Sequence, residues 1–289
     1  MLVTGLFFVG VQASVKFLGP AVPAVEAAFL RFVLGLIFVV PMLGRMRGAE
    51  LTRTDWGWFV LRGVVHAVGV ICWFYAMTRI PLADVTAMNY LAPVYVTLGA
   101  ALFLGERLAM RRLAAIGVAF LGALVILRPG MRAIDTGHLA MLVTALCFGG
   151  SYLIAKLLSA RLGPEVIVAM LSVMVPIWLA PMVVADWVTP GPSALILLLL
   201  VACFATAGHY TMTLAFRAAP VSVTQPAAFL QLVWAVLVGM AFFAEPPDPW
   251  VLLGGGMIVA AISFMAWREA RLARQVTPPA LATKEGPPA

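Results

Sequence analysis

The sequence predicts an all-α membrane protein of ten transmembrane helices, arranged as two inverted five-helix repeats. Three observations predict this class: the composition, the recurrence of apolar runs about as long as a bilayer is thick, and a resemblance between the two halves. Of the 289 residues, 63% are hydrophobic and 11% are charged, whereas a soluble domain carries roughly 25% charged residues. The mean hydropathy of +1.05 is spread along most of the chain, which excludes a soluble domain on a single anchor.

Ten apolar runs are long enough to cross the membrane, because a hydrocarbon core of about 30 Å needs roughly 20 helical residues. The predicted spans are 1–18, 22–43, 56–78, 82–104, 110–128, 137–160, 164–185, 193–216, 221–243 and 249–267. Proline and glycine pairs such as Gly19-Pro20 separate them. No basic region precedes the first run and no small-residue cleavage site follows it, so we interpret it as a span rather than a signal peptide.

The distribution of positive charge predicts the orientation of these spans. With both termini in the cytoplasm, twelve basic residues fall on the cytoplasmic side and three on the other, namely Arg79, Arg128 and Arg132. Lysine and arginine are enriched on the cytoplasmic side of membrane proteins. The sequence therefore predicts a multi-pass protein of the bacterial inner membrane with both termini cytoplasmic. Four further basic residues lie within spans: Lys16, Arg31, Arg62 and Lys156.

The two halves match at a shift of about 140 positions. Phe8, Gly10 and Lys16 correspond to Phe148, Gly150 and Lys156, and at a shift of 139 Glu106 corresponds to Glu245. We therefore predict a first repeat at 1–132, a second at 133–267, and a disordered cytoplasmic tail at 268–289. Because each repeat has an odd number of spans, the second enters the membrane from the opposite side. Inverted repeats of this kind are common in secondary transporters, with the binding site near the midplane.

A proline pattern around the fourth span carries a family resemblance. Pro81 opens this span, Pro93 follows a dozen residues later, and Leu104-Gly105-Glu106 closes it. This pattern resembles the EamA-type repeat of the drug/metabolite transporter superfamily, and the second half is a weaker copy with Pro220, Pro226 and Glu245. The resemblance implies ten helices, cytoplasmic termini and a central cavity lined by spans 3, 4, 8 and 9, with help from 1 and 6. Members include exporters of amino acids and related metabolites, among them YddG-like aromatic amino acid exporters.

Polar and aromatic residues inside the spans are the candidates for substrate binding. A charge at the centre of a span costs about 2.5–3.5 kcal/mol on insertion scales, so polar side chains there need a reason. Pro93 also frees a backbone carbonyl, because proline has no N–H. The alternative for each candidate is helix packing or an interhelical hydrogen bond. The predicted substrate-binding residues are His66, Trp73, Asn89, Tyr90, Pro93, His209, Thr213, Gln231 and Trp234.

Lys16 and Lys156 occupy equivalent positions in the two repeats. Either could form a gate or contact a substrate carboxylate at one mouth of the path. The alternative is that both lysines extend to the membrane surface. We expect Glu106 and Glu245 to be structural.

These features favour an exporter that works by alternating access around a central cavity. The expected cargo is a small amphiphilic metabolite, with amino acids, including aromatic ones, as the best candidates. A sugar phosphate would require a cluster of buried lysine or arginine residues, which we expect the spans to lack. Two alternatives remain: a multidrug exporter of lipophilic cations, for which Glu26 is a poor candidate carboxylate, and a membrane scaffold that transports nothing.

Other activities find little support in the residues. Ser151 follows two glycines as in a hydrolase elbow, but Tyr152 stands where that motif needs glycine. We therefore predict no enzyme activity. Cys72, Cys147 and Cys203 lie inside apolar runs without metal-type spacing, so we expect no metal and no cofactor. The expected partners are a small-molecule substrate and the lipid bilayer, without nucleic acid, for a monomer or homodimer. The sequence leaves two alternatives for energy coupling: proton antiport, and facilitated diffusion without coupling.

Overall fold

A computed structural model describes residues 2–46, 50–104, 110–131, 133–159, 161–185, 187–218 and 230–276. These residues are almost entirely helical, with a short 3-10 helix at Gly19–Ala21. The α-helices are α1 Leu2–Leu18, α2 Ala24–Met46, α3 Arg53–Met77, α4 Leu82–Asn89, α5 Ala92–Leu104, α6 Met110–Leu127, α7 Thr136–Ser159, α8 Pro164–Ala185, α9 Pro192–Ala218, α10 Leu230–Phe243 and α11 Pro249–Val276.

The lengths and composition of the helices confirm the all-α membrane class. Within the described chain, eight stretches are long and apolar enough to cross a membrane, including Leu82–Phe103, which combines α4 and α5. The 23 residues of α2 also reach about 35 Å. The shorter α10 is strongly apolar. It covers the second part of the predicted span 221–243, whose first part lies outside the described residues.

The predicted fourth span, 82–104, consists of two helices. Helix α4 ends at Asn89 and α5 begins at Ala92. Between them, the Tyr90 and Leu91 N–H groups donate to carbonyls three residues earlier, at 3.3 and 3.1 Å. Pro93 has no N–H to donate but is tolerated in the first turn of a helix. The chain therefore closes one helix and starts another here.

The helices pack in pairs that are related by the repeat: each pair joins equivalent helices of the two repeats, or has an equivalent pair. Helix α3 packs along α7, and the equivalent helices α9 and α1 pack along each other in the same way. Two further pairs, α2 with α8 and α6 with α11, join equivalent spans of the two repeats. At the α6–α11 crossing a Cβ on Gly122 would lie 2.6 Å from the Gly254 carbonyl oxygen. Only glycine allows the two backbones to approach this closely.

The last helix extends past the predicted end of the tenth span. Helix α11 runs to Val276, so the tail predicted at 268–289 begins as helix rather than as disordered chain. The reason is local: Arg268, Ala270, Leu272 and their neighbours are strong helix formers. Residues 277–289 lie outside the described part of the chain.

Candidate functional site

A group of aromatic and polar side chains joins α3 to α7 near the middle of the bundle. The His66 ring stacks on Phe148 of α7, with centroids 4.9 Å apart, and its Nδ1 lies 3.1 Å from the Ser151 hydroxyl. Trp73 meets Phe148 edge-on at 6.0 Å. A Cβ on Gly69 would lie 2.9 Å from the Phe148 ring, so this glycine allows the close approach. We call His66, Trp73, Phe148 and Ser151 the His66 cluster.

Arg62 lies directly beside the His66 cluster. Its Nε donates to the Ser151 hydroxyl at 3.3 Å and its Nη1 to the Ile167 carbonyl at 2.9 Å. Its side chain is only 5% exposed. Helix α3 is about 37 Å long, and Arg62 lies roughly 14 Å from its beginning. Arg62 therefore lies in the first half of α3, and its partner Ile167 lies near the start of α8.

A second arginine approaches the same region from α2. Arg31 is 8% exposed, and its guanidinium lies 4.2 Å from the centre of the Phe32 ring. Phe32 in turn meets His66 edge-on at 6.2 Å. Both guanidinium groups interact electrostatically with Tyr152. Our expectation that the spans lack a cluster of buried cations is therefore wrong, because residues on separate spans converge here.

His209 of α9 faces this region from the second repeat. Phe8 of α1 meets the His209 ring edge-on at 5.2 Å. His209 interacts electrostatically with His66 and with both arginines. The structure thus brings three of the predicted site residues, His66 and Trp73 of the cluster and His209, into one region. The side chains of Thr213 and Lys156 lie outside the described residues.

Four other predicted residues form a second group at the end of α4 and the start of α10, two helices that pack against each other. The Tyr90 hydroxyl hydrogen-bonds to the backbone of Leu232. Asn89 Oδ1 and Trp234 Nε1 are buried without a hydrogen-bond partner among the described residues. Gln231 lies where the start of α10 packs against Gly5 of α1. Pro93 lies one turn from this group, in the first turn of α5.

Sequence reasoning did not anticipate a buried polar contact between α1 and α4. The Thr86 hydroxyl donates to Gln12 Oε1 at 2.9 Å, and both side chains are almost completely buried. Gln12 Nε2 has no partner in the described chain. The available signal was an amide in the middle of the first span, where a polar side chain is costly.

Lys16 lies apart from these groups, at the end of α1. It forms an ion pair with Glu245 and donates to the Ile80 carbonyl at 2.9 Å. Glu245 Oε2 also accepts the Leu82 N–H at 3.0 Å. The ammonium group therefore already has a carboxylate from the other repeat. We call this end of the bundle the Lys16 end; our topology predicts that it faces the periplasm.

A cavity of about 480 Å³ opens at the Lys16 end. The 3-10 helix and the start of α2 form one side, and the last turn of α3 forms the other, with Phe74, Tyr75 and Arg79. Of the predicted site residues whose side chains the structure describes, none lines this cavity. The cavity lies at this end of the bundle, separate from the predicted midspan site.

Comparison with known proteins identifies the family. The model of the EamA-like transporter family matches residues 1–128 and 135–267. A riboflavin transporter of Rhizobium johnstonii is 34% identical over 88% of this chain and 85% of its own length. A pseudopaline exporter of Pseudomonas aeruginosa is 30% identical over 86% of this chain and 88% of its own length.

More distant relatives agree with this result. An S-adenosylmethionine uptake transporter of Rickettsia prowazekii is 25% identical over 88% of this chain and 86% of its own length. A solved crystal structure shares the fold with a TM-score of 0.60 at 18% identity, covering 93% of this chain and 97% of the other. These relatives are named as transporters rather than enzymes. The chain belongs to the EamA-like transporter family, as the proline pattern of the fourth span predicted.

Proposed function

We propose that this transporter exports small amphiphilic metabolites, with amino acids, including aromatic ones, as the leading candidates. The observation that carries this proposal is the His66 cluster, in which stacked rings adjoin hydrogen-bonding groups deep in the bundle. A solute with a ring and a polar head needs both kinds of contact. The relatives include one named as an exporter and one named as an uptake transporter, so the direction rests on this proposal alone.

Unsatisfied polar atoms support a ligand-binding interior. Trp73 Nε1, Trp234 Nε1 and Asn89 Oδ1 are buried without partners among the described residues. A buried donor or acceptor without a hydrogen bond costs about 1–3 kcal/mol. A polar ligand that enters between α3, α4 and α10 would recover part of this cost. We therefore assign substrate contact to these residues together with His66, Tyr90, Pro93, His209, Thr213 and Gln231.

Alternating access follows from the way the two repeats meet. Ion pairs between the repeats hold the Lys16 end together, with Lys16 bound to Glu245. Opening this end requires the pair to separate, and closing the opposite end would complete the cycle. We assign Lys16 to this gate, and Lys156 to the equivalent position in the other repeat.

The competing cargo, a lipophilic cation, fits the interior poorly. Arg31 and Arg62 place positive charge beside the His66 cluster, and no carboxylate of the described residues pairs with either. A cation at this place would be repelled, since like charges in a low dielectric are strongly unfavourable.

Counterflow in proteoliposomes tests the export proposal. Vesicles preloaded with unlabelled tryptophan, phenylalanine, leucine or glutamate are diluted into the same labelled amino acid, with and without a pH gradient. We expect uptake that depends on the protein and falls at least tenfold in His66→Ala. Gly57→Ala is the matched control, since a Cβ at Gly57 meets nothing within 4 Å. Absence of flux for every amino acid would refute the proposal.

Cysteine labelling tests the proposed topology. Cys72, Cys147 and Cys203 are first replaced by alanine, and single cysteines are then placed at Gly57 and Gly130. A Cβ at either position meets nothing within 4 Å, and the two positions lie at opposite ends of the bundle. Gly130 has a φ of +84°, so its cysteine variant is first checked for unchanged thermal unfolding. We expect a membrane-impermeant maleimide to label the Gly130→Cys variant in intact cells and the Gly57→Cys variant only after permeabilisation. The reverse pattern would place both termini outside.

A further inference from the structure

Arg31 and Arg62 are two buried cations without a counter-ion. Neither guanidinium pairs with an Asp or Glu of the described residues, and Tyr152 is their shared electrostatic neighbour. Arg31 Nε is buried with no hydrogen-bond partner in the part of the chain that the structure describes. The contact of Arg31 that the structure shows is with the face of the Phe32 ring. Two positive charges therefore enter the bundle and remain uncompensated.

Such an arrangement is unfavourable unless an anion joins it. Buried charges are ordinarily paired, because removal of an ion from water costs several kcal/mol even after relaxation. A ring face offsets only part of this cost. A purely structural arginine would be expected to reach a carboxylate or a set of backbone carbonyls. Arg62 has one such carbonyl, from Ile167, whereas Arg31 has none in the described chain.

Tyr152 and His209 keep part of their surface accessible beside the two arginines. Tyr152 interacts electrostatically with both guanidinium groups, and the residue is 39% exposed. His209 of α9 is half-buried. A solute that reached these side chains would meet guanidinium donors on one side and the rings of the His66 cluster on the other.

We propose that Arg31 and Arg62 bind the carboxylate of the transported solute. The guanidinium fork matches the planar carboxylate and can donate two parallel hydrogen bonds. The inference rests on the proposed export function and narrows it: the cargo is an organic carboxylate with a ring or apolar part, not an amine or a neutral solute. The site recognises the carboxylate, and the aromatic side chains contact the remainder.

Ligand-induced thermal stabilisation of the purified protein in detergent tests this site without reference to transport. Three probes share an indole ring and differ in charge: indole-3-propionate carries only a carboxylate, tryptamine only an ammonium group, and tryptophan both. We expect indole-3-propionate and tryptophan to raise the unfolding temperature and tryptamine to leave it unchanged. Stabilisation by tryptamine alone, or by none of the three, would overturn the proposal.

Substitutions identify the arginines as the cause. In Arg31→Gln we expect the affinity for indole-3-propionate to fall about 10- to 100-fold, the loss expected for a charged hydrogen bond. The unliganded Arg31→Gln protein should unfold at the same temperature or higher, because an uncompensated charge has been removed. A structural arginine would give the opposite result, a lower unfolding temperature. Arg31→Lys should restore part of the affinity, although a lysine cannot bind a carboxylate through two donors.

Arg271→Gln is the matched control. Arg271 stacks on an aromatic ring, Trp267, as Arg31 does on Phe32, but it is exposed near the end of α11. This variant should bind indole-3-propionate with unchanged affinity. An equal loss of affinity in Arg31→Gln and Arg271→Gln would overturn the proposed carboxylate site.

The counterflow assay separates this site from the export proposal. Binding of indole-3-propionate that depends on Arg31, without flux of any solute, would refute the export proposal and support the carboxylate site. Flux that is unchanged in Arg31→Gln would refute the carboxylate site and support the export proposal.

Discussion

Basic side chains at the Lys16 end of the bundle and in its interior differ in whether they pair with a carboxylate. At the Lys16 end, two ion pairs and one histidine–carboxylate contact connect the repeats: Lys16 with Glu245, Arg128 with Asp248, and His138 with Asp84. In the interior, Arg31 and Arg62 are more deeply buried than Lys16 or Arg128, yet they pair with no carboxylate among the described residues. Lys16 and Arg128 thus have a carboxylate partner from the other repeat, whereas the two interior arginines have none among the described residues.

The difference separates two roles for charge in a transporter. Each ion pair at the Lys16 end takes one member from the first repeat and one from the second. Such pairs stabilise one relative position of the repeats and must separate when the repeats move apart. The interior arginines hold no such partner, so an anionic ligand can supply it. Four substitutions test this distinction, taken here from the largest expected effect to the smallest.

Glu245→Gln should cause the largest loss of stability. Glu245 is the partner of Lys16 and also accepts the Leu82 N–H, and both side chains are largely buried. Removal of one member of such a pair leaves an uncompensated charge and costs about 3 kcal/mol. Thermal unfolding in detergent measures the effect. The double variant Lys16→Gln/Glu245→Gln should recover part of the lost stability. A Glu245→Gln variant as stable as the parent would show that this ion pair does not stabilise the contact between the repeats.

Asp84→Asn should follow, with a loss of about 2 kcal/mol. The Asp84 carboxylate lies 2.9 Å from His138 Nε2, and both side chains are at most 5% exposed. The amide keeps the shape and one acceptor, so the expected loss is smaller than for Glu245→Gln. Unfolding in increasing sodium dodecyl sulfate, followed by circular dichroism, measures it. A loss equal to that of Asp248→Asn, which affects a more exposed pair, would contradict the role of burial.

Ser151→Ala tests the interior, and we expect a loss of about 1–2 kcal/mol. The Ser151 hydroxyl accepts from Arg62 Nε at 3.3 Å and lies 3.1 Å from His66 Nδ1. Its removal leaves both groups with one partner fewer. The same detergent titration measures stability, and tryptophan counterflow measures function. Ser172→Ala is the matched control, because the Ser172 hydroxyl donates to the Val168 carbonyl of its own helix at 3.1 Å. Equal losses in the two variants would show that the Ser151 contacts add nothing specific.

The sequence was sufficient for most of the fold because the signals for a membrane span are local. Helix length follows from bilayer thickness, and Pro93 marks the interruption of the fourth span within a few residues. The end of α11 was predicted too early, since bilayer thickness says nothing about a helix that continues into water. There the helix propensity of an Ala-, Arg- and Leu-rich segment determines the end.

The site was harder to predict, because it depends on how the helices are rotated against one another. The stripe of His66 and Trp73 was predictable from helical periodicity on a single span. The convergence of Arg31 with Arg62 was not, since the two residues lie on different spans. The pairing of Lys16 with Glu245, 229 positions apart, is equally invisible to sequence spacing. For Arg31 and Arg62, the available signal of a site was the presence of a charged residue inside a predicted span.

Asp248→Asn should have the smallest effect, below about 1 kcal/mol. Asp248 pairs with Arg128 at the Lys16 end, but its side chain is 28% exposed, so water replaces much of the lost interaction. The Asp248 side chain also accepts the Trp250 N–H at 2.9 Å, at the start of α11, and asparagine can keep this bond. Thermal unfolding at low and at 0.5 M salt measures the effect. Because salt screens exposed charges, the difference between parent and variant should shrink at high salt. A loss as large as that of Glu245→Gln, unchanged by salt, would mean that burial does not rank the ion pairs at this end.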